Sequence, residues 1–221
     1  MEPIGYSSPL KIKNLKIGDN NNNCTKIFSD GTIRLEGAAT CWDDLMIPGH
    51  AVKLTGNSPP DLLGNFVGDN TLDIYVFDGV DTLEQVFFTV QLPHCWKEGS
   101  TIYPHVHVSP ISTNSSDLTP RVVRFTLEYT WSNINDTFGN TAIINLDTDP
   151  FVPNTSQWKH LLCKNSSGIS GTGKKLSSML VCRLFRDPAD NADTYPQDIA
   201  FLQFDIHYEI DSLGSSKEYI K

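Results

Sequence analysis

The chain has no apolar run near the roughly 20 residues that a membrane-spanning helix requires, so a helical anchor is not expected. Its opening, MEPIGYSSPLKIKN, lacks the apolar centre of a signal peptide, and export by that route is not expected either. Basic clusters are missing. A net charge of −9 with scattered Lys and Arg opposes non-specific nucleic-acid binding, which depends on grouped cations against phosphate. Charged residues make up only 19% of the chain, below the roughly 25% of ordinary soluble domains. The five cysteines, Cys24, Cys41, Cys95, Cys163 and Cys182, are odd in number and show no CxxC spacing, which favours reduced, mostly buried thiols over a disulfide framework or a thiolate metal site. GxSxG is absent, and so is any long amphipathic helical pattern.

What is present is alternation. In RVVRFTLEYTW, Val123, Phe125, Leu127, Tyr129 and Trp131 share one strand face, with Arg124, Thr126, Glu128 and Thr130 on the other. In IAFLQFDIHYEI the same rule groups Ala200, Leu202, Phe204, Ile206, Tyr208 and Ile210 against Gln203, Asp205, His207 and Glu209. Shorter strand-like runs are KIKNLKI, TIRLEG, LDIYVF, EQVFFTVQL, YPHVHV, TAIINL, WKHLLC and KLSSMLVCRLF, about ten strands in all. Turn-rich segments separate them, and a short helical turn could form near WDDLMIP or in the loop after Arg186.

Strands without helical crossovers exclude parallel α/β folds. The expected fold is therefore all-β, an antiparallel β-sandwich, with the long loops favouring a jelly roll over a meander. Residues 1–36, which include the run DNNNN, read as an N-terminal arm with short strands able to pair along a sheet edge. Residues 37–221 read as the single sandwich domain.

Several residue sets invite chemistry. His105 and His107, two apart on a strand, face the same way and could share a metal in the manner of cupin-like double-stranded β-helix enzymes, with His94, His207 or Glu98 completing the set. The carboxylate that usually follows such a pair is missing, and ordinary hydrogen-bonding histidines explain the same pattern, so no metal or other cofactor is assigned. GISGTGKK, from Gly168 to Lys175, falls short of the phosphate-loop pattern. Lys175 occupies the hydroxyl position, and a strand-like run follows where a helix is needed. Asp147, Asp149, Asp187, Asp190 and Asp193 could offer oxygens to calcium but lack calcium-loop spacing, and turn capping accounts for them. Trp42, Trp96, Trp131, Trp158, Phe66, Tyr103 and Tyr195 divide between core packing and a contact surface for glycan or protein. No catalytic residue is assigned. The five matches to the glycosylation pattern, at Asn23, Asn114, Asn135, Asn154 and Asn165, are of the number that an Asn-, Ser- and Thr-rich chain produces by chance.

The strings FFTVQLPHCWKEGSTIYPHVHV, FTLEYTW, GTGKKLSSMLVCRLFRDPADNADTY and FLQFDIHYEID, spread over roughly residues 40 to 215, resemble uncharacterised proteins encoded by tailed phages and by virophages of the Sputnik and Zamilon kind. Phage relatives carry LPHSYKEGT where this chain has LPHCWKEGS, and no role is attached to those residues. The resemblance implies a jelly-roll virion protein, made in the host cytoplasm or viral factory, that associates with itself and with other virion proteins; symmetry makes a homo-oligomer the default, and a trimer is expected. Such a protein acts by assembly as a minor capsid, decoration or fibre-like component and is not an enzyme. A receptor- or glycan-binding module and the cupin-like metal-dependent enzyme are the two alternatives.

Overall fold

A computed structural model describes residues 14–19, 22–54, 57–68, 71–112 and 115–221. The first thirteen residues of the expected arm, part of its Asn run and Asn114 lie outside the described residues. Thirteen strands follow in order: β1 (Leu15–Gly18), β2 (Cys24–Ile27), β3 (Ile33–Glu36), β4 (Cys41–Pro48), β5 (Asp61–Leu63), β6 (Ile74–Phe77), β7 (Glu84–Gln91), β8 (Tyr103–Pro110), β9 (Arg124–Ser132), β10 (Ala142–Thr148), β11 (Leu161–Lys164), β12 (Met179–Arg186) and β13 (Ile199–Ile210). The helical content among the described residues is three short 3₁₀ turns, and none is long and apolar enough to cross a membrane.

The last eight strands form one hairpin rolled up on itself. The innermost pair is β9 with β10; β8 pairs with β11, β7 with β12 and β6 with β13. Rolling adds the β13–β8 and β12–β9 pairs, giving layers β6-β13-β8-β11 and β7-β12-β9-β10, joined at one corner by β10–β11. This nesting is the jelly roll. Aromatic contacts tie the layers: Phe77 to Phe125 with ring centroids 5.0 Å apart, and Phe88 to Phe204 at 4.6 Å. Trp96 and Trp131 close one end at 5.7 Å. Each such buried ring removes enough apolar surface from water to stabilise the fold by about 2–3 kcal/mol.

Val123, Phe125, Leu127 and Trp131 enter the core as their alternation requires, with Tyr129 packed at its margin. The reading of β13 needs correction. Phe201 pairs with Val108 and Gln203 with His107, so Leu202 has no partner and forms a β-bulge. Before it, Ile199 and Phe201 face the core; after it, Phe204, Ile206 and Tyr208 do. Leu202 is only half-buried and belongs to no core cluster. Gly49 sits against this bulge, where a Cβ would lie 2.8 Å from the Leu202 carbonyl oxygen and 2.9 Å from that of Phe201.

The segment WDDLMIP itself is strand β4, paired with β13 from Cys41–Ile210 to Pro48–Gln203, and the helical turn expected near it is the 3₁₀ turn Gly49–Ala51 that directly follows Pro48. The strand's signal was hidden because Asp43 and Asp44 interrupt the apolar positions while Leu45 and Ile47 pack only partly on the core. After Arg186 the chain makes hydrogen-bonded turns, with Asp187 and Asp190 accepting from the backbone of Ala189 and Ala192. The described part of the arm folds as its own antiparallel sheet, β1-β2-β3. It meets the main domain through the Arg34–Ser212 bridge and the Leu35 N–H to Asp211 carbonyl bond.

Candidate functional site

The bulge decides what lies on the outer face of the β6-β13-β8-β11 layer. By moving Phe204, Ile206 and Tyr208 inward, it leaves Gln203, Asp205, His207 and Glu209 outward. In β8, Val106 and Val108 point inward, so Tyr103, His105 and His107 share that outer face. Strand register then sets neighbours: Asp205 stands opposite His105, His207 opposite both Tyr103 and Asp44, and Glu209 opposite Trp42.

Asp205 is the centre of the cluster, only 2% exposed. His107 Nε2 lies 2.8 Å from its Oδ2, and His107 Nδ1 is 2.6 Å from His160 Nε2. The consistent assignment has His160 Nε2–H donating to His107 Nδ1 and His107 Nε2–H donating to the carboxylate. On the other side, His105 Nδ1 stands 3.4 Å from Asp205 Oδ1. Neither of those two buried atoms has a hydrogen-bond partner. Burial by itself would raise the Asp205 pKa; the imidazoles of His105 and His107 outweigh it and hold the carboxyl well below the usual carboxylate range. His207 completes the group, its ring centroid 4.1 Å from that of His105 at an angle of 86°, with Asp44 Oδ1 2.7 Å from its Nε2.

The structure thus brings together His105, His107 and His207 and leaves His94 elsewhere, with its two ring nitrogens 2.7 and 2.8 Å from the hydroxyls of Ser215 and Ser177. Glu98 is also occupied elsewhere, accepting from the Leu176 N–H. Sequence reasoning missed Asp205 and His160 as members. Asp205 appeared only as a polar-face residue, and His160, just before β11, reaches His107 through a pairing that no local spacing displays.

The other sets resolve differently. In the Gly168–Lys175 loop, Lys174 donates to the Trp131 carbonyl and Lys175 N–H to Asn133 Oδ1, and β12 follows instead of a helix. Asp147 forms a two-point pair with Arg124 at 2.7 Å for each bond, Asp149 pairs with Lys164, and Asp193 is bound at 2.8 and 3.0 Å by Arg186. These carboxylates are satisfied by cations of the chain itself. All five cysteines are free; burial pushes the Cys182 thiol up to about 12 and Cys163 well above its ordinary value, which makes both poor nucleophiles.

Of the seven rings singled out, Trp96, Trp131 and Tyr195 are buried. Phe66 and Trp158, both half-buried, meet edge to face at 5.3 Å. Trp42 is 57% exposed and meets Tyr103 edge-on at 5.7 Å, on the same outer face as the histidine cluster.

No family model and no curated protein matches the chain. Among solved structures, the CBM22-2 xylan-binding domain from Paenibacillus barcinonensis Xyn10C is similar at 11% identity and a TM-score of 0.36, over 76% of this chain and 91% of that one.

Proposed function

We propose that this chain is a non-catalytic binding module that takes a carbohydrate on the outer face formed by β4, β13 and β8. The observation that carries this reading is the Trp42–Tyr103 pair, an exposed indole steadied by a neighbouring ring and bordered by Asp44, His207 and Glu209. An exposed indole gains from being covered, and the C–H face of a sugar ring covers it without requiring a large apolar partner. Carboxylates and an imidazole beside it supply hydrogen bonds to hydroxyls.

A glycan array followed by calorimetry on the best ligand tests this. Trp42→Ala should weaken binding at least about 30-fold, the worth of a hot-spot ring of about 2 kcal/mol, while leaving the melting temperature near that of the parent. Absence of any glycan ligand, or binding indifferent to Trp42→Ala, would overturn the reading.

A second reading, self-assembly as a particle component, is supported by one observation: the β1-β2-β3 sheet stands apart from the jelly roll, with β1 paired on one side only among the described residues and Ile17 60% exposed. Such an edge is a template for another chain. Light scattering at high concentration, with quantitative mass spectrometry of purified particles, tests it; a monomer absent from particles refutes it.

A further inference from the structure

We propose that His105, Asp205 and His207 bind one first-row transition-metal dication of the zinc class on the outer face of the jelly roll. One ligand atom from each of the three lies within 4.8 Å of the others, close enough for a single ion to touch all three. The independent observation is the pair of orphaned atoms. His105 Nδ1 and Asp205 Oδ1 are buried, face each other at 3.4 Å and have no hydrogen-bond partner. Leaving a buried polar atom unsatisfied is destabilising, the more so where it is charged. A cation between the carboxylate oxygen and the imidazole nitrogen satisfies both.

The surroundings have the form that metal ligands require. A ligating carboxylate or imidazole keeps its second polar atom bound to the protein, which fixes its orientation. Asp205 commits Oδ2 to His107, itself backed by His160, and so presents Oδ1. Asp44 lies on His207 Nε2, and an ion held through Nδ1 leaves that bond in place. Two ligands stand on β13 and one on the directly paired β8, so little ordering entropy opposes binding. The His207 side chain is 38% exposed, which leaves an entry path and room for water to complete the coordination shell. Two imidazoles with one carboxylate suit zinc, cobalt, nickel or ferrous iron. Calcium and magnesium prefer shells made only of oxygen. This inference does not rest on the carbohydrate reading, and either can fail alone.

The test uses the full chain, stripped with chelator and dialysed, then titrated with Zn²⁺ by calorimetry and with Co²⁺ by visible absorption. The expected result is saturable binding of one ion per chain, with calcium failing to compete. His207→Ala, at a partly exposed position, should weaken Zn²⁺ binding by more than about 100-fold. His107→Gln, which touches only the supporting shell, should weaken it by about 10- to 100-fold. His94→Gln should change nothing. Circular dichroism on each variant confirms that the sheet persists. No saturable one-to-one binding of either ion, or binding that survives both His207→Ala and His105→Ala, would overturn the proposal.

Discussion

His107 donates to Asp205 across the β8–β13 pair at 2.8 Å, although the two are not register partners: His107 stands opposite Gln203, and Asp205 opposite His105. This diagonal contact anchors a nearly fully buried carboxylate on the outer face of a sheet, and removing the carboxylate leaves His107 without its acceptor. Asp205→Ala should lower unfolding stability by about 2–4 kcal/mol, read as a shift of the urea midpoint at unchanged m-value. A midpoint within experimental error of the parent would mean that the cluster contributes nothing to folding.

Arg186 is fully buried and binds both Asp193 oxygens, while its remaining N–H groups reach the carbonyls of Phe77, Tyr195 and Gln197. The pair ties the loop after β12 to the end of β6. Breaking one side strands a buried charge, so Asp193→Ala should cost about 3–5 kcal/mol. Asp193→Ala, Arg186→Met and the double variant form a cycle, in which the double should be less destabilised than the sum of the singles.

Glu84 is buried at the start of β7, where it accepts the Asp78 N–H at 2.6 Å. Burial, with Asp61, Asp78 and Asp198 nearby, raises its pKa to about 7. Because the folded state holds this proton more tightly than the unfolded state, its contribution is fully present below about pH 4.5 and is lost as pH rises through about 7. Glu84→Gln keeps an acceptor without the charge. It should raise the melting temperature at pH 8 by several degrees, for about 1–3 kcal/mol, and by little at pH 5. An equal change at both values would assign the effect to packing.

Gly49 allows the chain to press against the bulge at Leu202, where any Cβ meets two backbone carbonyl oxygens inside 3 Å. Gly49→Ala should destabilise by about 1–3 kcal/mol through displaced backbone. Hydrogen exchange should show the loss concentrated in β13, and uniform loss across the sheet would refute a local cause.

How far the sequence reaches is clearest from β9 and β13. In β9 the apolar period of two runs unbroken, and the apolar residues Val123, Phe125, Leu127, Tyr129 and Trp131 all face as that period states. The same period in β13 correctly marks a long strand and correctly turns Asp205 and His207 away from Phe204 and Ile206. Its first part fails because a bulge adds a residue without changing composition, so Leu202 looked like core where Ile199 and Phe201 are, although Ala200 is buried as well.

Strand alternation, turn residues and the absence of helical periodicity determined by themselves that the chain is an antiparallel β-sandwich, because a side chain's alternation between two faces is a local property of extended backbone. His105 and His107 were also visible as a pair on one face for that reason. Which groups meet them was decided only by tertiary structure. The rolled hairpin lays β13 and β11 on either side of β8, and inter-strand register then sets Asp205, His207 and His160 beside the pair from positions about 50 to 100 residues away. Register depends on the packing of the whole sheet, and no local spacing carries it.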